Sequence, residues 1–172
     1  MILASAGSSR SSTMASDPRS VVPLIIEHSL EIAAPAETVW SVITDLASYP
    51  LWNPFVVACT STLAPGSPIA MRVRVLPFFA QSQREQIFEH APGRRLRYGI
   101  RPLPFGALAS SRFHEVTAIA PDRTKYLSHF ELTGWLVPVV SVLLGGRLTR
   151  GFAAMSKALK VRAEALRSGR GS

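Results

Sequence analysis

The order of the hydrophobic patterns constrains this fold more than any other feature, since seven strand-like segments precede one long helical segment. Between residues 56 and 133 the apolar positions recur every second residue, the repeat of a half-buried β-strand. The helical repeat is confined to a short stretch after the first strand and a long one from about Val139 to Leu166. Because short turns join neighbouring strands, this order predicts an antiparallel sheet packed against one long helix.

The individual elements follow one another at short spacing. The first strand covers 24–32, and the helix in APAETVWSVITDL ends before Tyr49-Pro50 and the turn LWNPF. Three hairpins then pair 56–62 with 69–76, 79–90 with 95–101, and 110–120 with 124–133. We therefore expect an α+β fold, in which a curved seven-stranded antiparallel sheet wraps around the long C-terminal helix, with one or two short helices after the first strand.

The domain organisation follows from length and composition. A chain of 172 residues has the size of one domain, which we place at 21–168, between a disordered N-terminal tail (1–20) and a short C-terminal tail (169–172). The N-terminal tail is rich in Ser, and its apolar stretch is too short for a signal peptide, so Met14 is an alternative start. Gly145-Gly146 is predicted to bend or loosen the last helix.

Charge and cysteine content exclude several classes of function. The formal charge of +8 comes mostly from arginine, which a biased composition explains, and we expect no nucleic-acid partner. A single cysteine, Cys59, rules out an intramolecular disulfide and fits a cytoplasmic setting. No phosphate-binding glycine loop and no histidine pair with zinc spacing is present, so neither cofactor nor metal is expected. The apolar run WLVPVVSVLL is too short to span a bilayer.

The segment APAETVWSVITDLASYPLWNPFV resembles the START-like (SRPBCC) superfamily, and within it the polyketide cyclase/dehydrase and lipid-transport family. The resemblance covers roughly residues 24–167 and extends to the APGRRLRY turn and the MSKALK stretch of the last helix. It implies a helix-grip fold around an apolar cavity. The expected function is binding or carriage of a small hydrophobic ligand, such as a lipid, a polyketide or another aromatic or isoprenoid-like molecule. The alternative is a cofactor-independent polyketide cyclase/aromatase or dehydratase.

One departure from the family pattern bears on this choice. Relatives carry an inward acidic residue late in the last strand, in a pattern like His-Arg-Glu-x-Phe-x-Gly. The corresponding stretch here reads SHFELTG, with Phe130 at the acidic position. The resemblance therefore implies a more apolar cavity at that point and favours a binder over an enzyme.

Strand parity selects the side chains that face the interior. His28, Tyr98, His114 and Tyr126 would converge there from four strands, and His28, His114 and Tyr98 are the candidate acid/base groups for the enzymatic alternative. Each of them alone is more typical of a core residue held by one hydrogen bond than of a catalytic group. The predicted ligand-binding residues are His28, Trp52, Met71, Val73, Glu85, Ile87, Tyr98, Arg112, His114, Tyr126, Ser128, Phe130, Phe152 and Met155.

Strand 79–90 leaves its inward face open. One face carries Gln81, Gln83, Glu85 and Ile87, and the other carries Ser82, Arg84, Gln86 and Phe88. Both faces are polar. This pattern predicts either a polar cavity wall or a bulge or edge position that lets both faces reach water.

The opposite parity of the other strands gives a basic outer face made of Arg72, Arg74, Arg95, Arg97 and Arg101. Such a face is either simply solvated or suited to an anionic membrane or an acidic carrier protein. A docking module that uses this face or the WLVPVVSVLL segment is the third hypothesis. The oligomeric state, monomer or homodimer, stays open.

Overall fold

A seven-stranded antiparallel sheet frames the molecule, and a computed structural model describes it for residues 22–76 and 79–169. The strands are β1 (Leu24–Ile32), β2 (Val56–Thr60), β3 (Pro68–Leu76), β4 (Phe79–Ala91), β5 (Arg95–Gly99), β6 (Ala109–Ala120) and β7 (Arg123–Thr133). Their order in the sheet is β1-β7-β6-β5-β4-β3-β2, so β2 to β7 form a meander and β1 pairs beside β7. This arrangement confirms the predicted fold class.

Four α-helices accompany the sheet in the described residues: α1 (Ala36–Thr44), α2 (Tyr49–Trp52), α3 (Val137–Val140) and α4 (Gly146–Gly169). A wide π-type turn, Ser141–Gly145, joins α3 to α4, so that helical structure continues from residue 137 to residue 169. The irregularity falls at the glycine pair, where the sequence predicts a loosened helix. Pro138 occupies the first turn of α3, where its missing N–H leaves no hydrogen bond unmade.

Burial along the strands follows the predicted parity. Every second residue of β6 is buried from Ser110 to Val116, and β7 buries Thr124, Tyr126 and Ser128 in the same way. Helix α4 covers this face with a stripe of buried residues, which are Phe152, Met155, Ser156, Leu159 and Ala163. The core therefore lies between the concave face of the sheet and α4.

The C-terminal half of α4 is fastened to the end of β1 by polar contacts. Glu164 Oε1 accepts a hydrogen bond from the Ala33 N–H at 2.9 Å, and Lys160 Nζ donates to the Glu31 carbonyl at 2.6 Å. Arg167 Nη1 donates to the Ala33 carbonyl at 2.9 Å. These contacts fix the axis of α4 across the sheet.

Strand β4 lies between β3 and β5 and is not an edge strand. Its pairing with β5 shifts by one residue between Ile87 and Glu89, so the strand contains the predicted bulge. The predicted tail 1–20, with Met14, and residues 170–172 of the predicted C-terminal tail lie outside the described residues.

Candidate functional site

A cavity of about 200 Å³ lies between the sheet and the start of the C-terminal helical segment. An apolar cavity of about 150 Å³ suffices to bind benzene, so this one matches a molecule of one or two rings. Most of its wall is apolar. The wall consists of Phe55, Val56, Met71, Val73, Val75, Gln81, Gln83, Glu85, Tyr98, Ile100, Leu108, Ser110, Arg112, Phe130, Leu132, Val140, Leu144, Leu148 and Phe152.

Three aromatic rings form the part of the wall near α4. Phe152 packs edge-on against Phe55, with ring centroids 5.0 Å apart, and lies 4.9 Å from the ring of Phe130. Gly151 makes this possible, because a Cβ at that position would overlap the ring of Phe55. Phe130 thus contributes apolar surface to the cavity.

The polar part of the wall comes mainly from β4. Its face with Gln81, Gln83 and Glu85 lines the cavity, which resolves the face that the sequence leaves open. Burial raises the pKa of the Glu85 carboxyl to about 7, although the nearby Arg112 charge opposes this rise. The acidic group of this cavity is therefore on β4 and not on the last strand.

Arg112 is the only arginine that the described residues contribute to the cavity wall, and it is almost completely buried, at 4% exposure. Its guanidinium lies 3.9 Å from the centroid of the Phe152 ring. Its Nη2 donates to Ser128 Oγ at 3.2 Å and contacts Met155 Sδ at 3.3 Å. Its Nη1 is buried and has no hydrogen-bond partner among the described residues.

Behind this wall lies a buried network centred on His114. Arg112 donates from Nε to His114 Nε2 at 3.3 Å, and the Tyr98 hydroxyl lies 3.2 Å from the same nitrogen. The ring proton therefore sits on Nδ1 and is donated to the Tyr126 hydroxyl at 2.7 Å. Burial, reinforced by the Arg112 charge, holds the pKa of His114 well below its usual range, so the imidazole is neutral.

The structure divides the fourteen predicted ligand-binding residues into two groups of seven. Those in the cavity wall are Met71, Val73, Glu85, Tyr98, Arg112, Phe130 and Phe152. Those outside it are His28, Trp52, Ile87, His114, Tyr126, Ser128 and Met155. Among the latter, His114, Ser128 and Met155 touch Arg112, and Trp52 packs edge-on against Tyr49. Of the candidate acid/base groups, only Tyr98 borders the cavity.

Sequence reasoning missed Phe55, Leu108 and Ser110, which also belong to the wall. Phe55 points inward because Asn53 Oδ1 accepts hydrogen bonds from the backbone N–H groups of Phe55 and Val56, at 3.0 and 2.8 Å. An Asn-Pro dipeptide favours such a turn, so this residue had a signal in the sequence. Ser110 shares the strand parity of Arg112 and His114, so it had a signal as well, whereas Leu108 carries none.

The surface beside the cavity carries exposed apolar side chains, which we call the apolar rim: Leu103, Phe105, Trp135, Val139, Val142 and Leu143. Its two segments are held together, since the Leu136 N–H donates to the Ala107 carbonyl at 3.1 Å. The half-buried wall residues Leu108, Val140 and Leu144 belong to the same segments and lead from the rim into the cavity.

On the outer face of the sheet, one arginine of the predicted basic set lies beside acidic side chains. Arg95 lies 3.9 Å from Glu89 and 3.8 Å from Glu115, and its guanidinium stacks on the ring of Phe113. Within residues 22–76 and 79–169, no group of three or more His, Cys, Asp or Glu side chains is placed to hold a metal ion. No helix in the same part of the chain is long and apolar enough to cross a bilayer.

Comparison with known proteins identifies the family to which this architecture corresponds. A family model described as polyketide cyclase/dehydrase and lipid transport matches residues 23–164. No curated protein matches the sequence significantly.

Several solved structures share the fold. A START superfamily protein from Mycobacterium smegmatis is 22% identical, with a TM-score of 0.63 over 83% of this chain and 98% of its own. The Zhui aromatase/cyclase from a Streptomyces species is 19% identical, with a TM-score of 0.65 over 83% and 94%. Norcoclaurine synthase from Thalictrum flavum, solved with dopamine and hydroxybenzaldehyde, is 18% identical, with a TM-score of 0.61 over 82% and 86%. At these identities the likeness shows the fold alone.

Proposed function

Because the chain belongs to the polyketide cyclase/dehydrase and lipid-transport family, we propose that it binds a small hydrophobic molecule in the cavity between the sheet and α4. The observation that carries this proposal is the largely apolar, partly enclosed cavity of about 200 Å³. Apolar surface removed from water contributes about 25 cal/mol per Å², so even a two-ring ligand gains useful affinity there.

Naphthalene is a suitable probe, because it is apolar and has two rings. Ligand-observed NMR should detect its binding to the full chain. A larger side chain in the wall would fill the cavity from either side. Val73→Phe on β3 and Leu148→Phe on α4 should therefore each abolish the naphthalene-binding signal. Val161→Phe is the matched control, since Val161 is 67% exposed on α4 and lies outside the cavity wall. Binding that survives both filling variants would show that naphthalene binds elsewhere and would refute the proposal.

An enzymatic function is the second candidate, and the polar side of the cavity favours it. Glu85, with a pKa of about 7, and Tyr98 border the same space, and a group that titrates near neutral pH is suited to proton transfer. These residues would serve a cyclase/aromatase or dehydratase acting on a polyketide-like substrate. His114 is not in the wall and would act through Tyr98. Turnover of a poly-β-ketone lost in Glu85→Gln and Tyr98→Phe, with substrate binding retained, is the result this function requires.

Contact with an anionic membrane is the third candidate, and the apolar rim supports it better than the outer face of the sheet. Arg147 and Arg150 are exposed on the first turns of α4, next to Val142 and Leu143. Apolar side chains flanked by cations suit an anionic lipid surface. Vesicles of phosphatidylcholine and phosphatidylglycerol should therefore carry the protein in flotation assays.

The matched variants for this experiment lie on the same helical segment. Val142→Asp and Leu143→Asp should abolish flotation, while Val161→Asp should not, because Val161 is about as exposed as Leu143 but lies outside the apolar rim. Equal binding to vesicles without phosphatidylglycerol would exclude the electrostatic part of the proposal. Binding to an acidic carrier protein but to neither kind of vesicle would replace the membrane with a protein partner.

A further inference from the structure

The polar partners of Arg112 are unusual for a buried cation, because all of them are neutral. They are the imidazole of His114, the hydroxyl of Ser128 and the thioether of Met155, with the face of Phe152 against the guanidinium. In the described part of the chain, no carboxylate oxygen forms an ion pair with Arg112 within 4.0 Å. A buried charge without a counter-charge is unfavourable, so this arrangement calls for a negative partner.

Glu85 does not meet this need at neutral or lower pH. It lines the same cavity but makes no ion pair with Arg112, and its raised pKa of about 7 keeps much of its carboxyl protonated. Glu85 also influences two other titratable groups, Tyr98 and Cys59. Burial raises the pKa values of both, so both are neutral. With His114 neutral as well, Arg112 is the charge that dominates the cavity.

The geometry leaves one nitrogen of the guanidinium without a hydrogen-bond partner among the described residues. Nε and Nη2 are engaged with His114, Ser128 and Met155, whereas Nη1 has no hydrogen-bond partner among the described residues. These contacts and the Phe152 ring hold the side chain in place. A ligand that reaches Nη1 would therefore meet a preorganised, charged donor, and such donors bind a carboxylate more strongly than a neutral acceptor.

We propose that Arg112 binds an acidic group of the ligand, so that the molecule held in the cavity is an apolar carboxylic acid and not a neutral lipid or hydrocarbon. This inference rests on the proposed function, namely that the cavity holds an apolar molecule. Different parts of the wall then contact different parts of the ligand. The three phenylalanines and the apolar residues of β3 contact the hydrocarbon part, and Arg112 contacts the acid.

Three probes of equal ring size test this assignment: 2-naphthoate, 2-naphthamide and naphthalene. Their affinities for the full chain are measured by calorimetry at about pH 6, below the pKa of about 7 of Glu85. A hydrogen bond to a charged group is stronger than a neutral one, so 2-naphthoate should bind at least about tenfold more tightly than 2-naphthamide. In Arg112→Met this preference should vanish while naphthalene still binds.

Two further variants make the result specific. Arg84→Met removes an exposed arginine from the other face of β4. This variant should prefer 2-naphthoate over 2-naphthamide as strongly as the original protein does. Arg112→Lys keeps the charge but not the rigid fork, and should retain only part of the preference. If Arg112→Met does not fold, the preference of Arg112→Lys for 2-naphthoate is compared with that of the original protein, and a reduced preference supports the role of Arg112.

The outcomes separate this inference from the proposed function. Equal binding of 2-naphthoate and 2-naphthamide to the original protein would overturn the acid-binding role and leave the cavity proposal intact. An acid preference that is unchanged in the Arg112 variants would overturn the assignment to this residue. Failure of all three probes to bind would instead refute the proposed function.

Discussion

Replacing Glu85 with glutamine should stabilise the protein, and the gain should grow with pH. The carboxyl has an ordinary pKa of 4.5, and burial in the cavity wall raises it to about 7, against the smaller opposing effect of Arg112. Between these two values the unfolded chain loses this proton while the folded chain keeps it. Stability therefore falls as pH rises through this window, and the penalty is absent below 4.5 and complete above about 7.

The size of the effect follows from the two pKa values. A tenfold change in proton affinity corresponds to about 1.4 kcal/mol, so an increase from 4.5 to about 7 corresponds to about 3 kcal/mol. Glu85 is only half-buried by accessible surface, and solvent screening reduces the expected penalty to about 2 kcal/mol. Glutamine keeps the shape and polarity of the side chain but has no proton to lose.

Urea denaturation followed by tryptophan fluorescence, repeated from about pH 4.5 to about pH 8, measures this difference. The free energy of unfolding of Glu85→Gln minus that of the original protein should rise by about 2 kcal/mol across the series. Glu31→Gln is the control, because it makes the same substitution at an exposed position of β1 outside the cavity wall. A pH-dependent gain for Glu85→Gln no larger than that of the control would show that the cavity does not raise the pKa of this carboxyl.

Two further predictions concern packing and the buried network. Gly151→Ala should destabilise the protein by about 1–3 kcal/mol, because the new methyl group would overlap Phe55, whereas Gly146→Ala, with open space at its Cβ, should raise stability by up to about 1 kcal/mol. Thermal unfolding compares the two, and equal melting temperatures would contradict the packing argument. Tyr126→Phe removes the acceptor of the His114 Nδ1 proton and should cost about 1–3 kcal/mol in urea denaturation; a change below about 0.5 kcal/mol would contradict the hydrogen bond.

Much of the fold could be predicted because its signals are local. The alternation in 24–32 and 124–133 sets which residues face inward, and each turn between β2 and β7 carries its own glycine or proline. The same parity correctly grouped Arg112 with His114, and Tyr126 with Ser128, on the buried face. Residues whose position depends only on strand parity could therefore be predicted from the sequence.

The rest of the site depends on contacts between distant segments. Strand parity does not show which face of β4 points into the cavity, since both faces are polar. Only the position of β4 between β3 and β5 determines the inward face. Whether an inward residue borders the cavity or lies behind it depends on the path of α4, so Tyr98 and His114 could not be told apart beforehand. The unpartnered Nη1 of Arg112 likewise depends on Phe152 and Met155, which are forty or more residues away in sequence.

The sheet order has a consequence for how the chain is made. The strands from β2 to β7 each pair with their neighbour in sequence, but β1 pairs with β7 across separations from 92 residues (Ile32 to Thr124) to 108 residues (Leu24 to Leu132). A ribosome adds about 5–20 residues per second, so β1 leaves it roughly 5–20 s before its partner. During that interval the first strand has no place in a sheet, and closing this long loop is expected to limit the rate of folding.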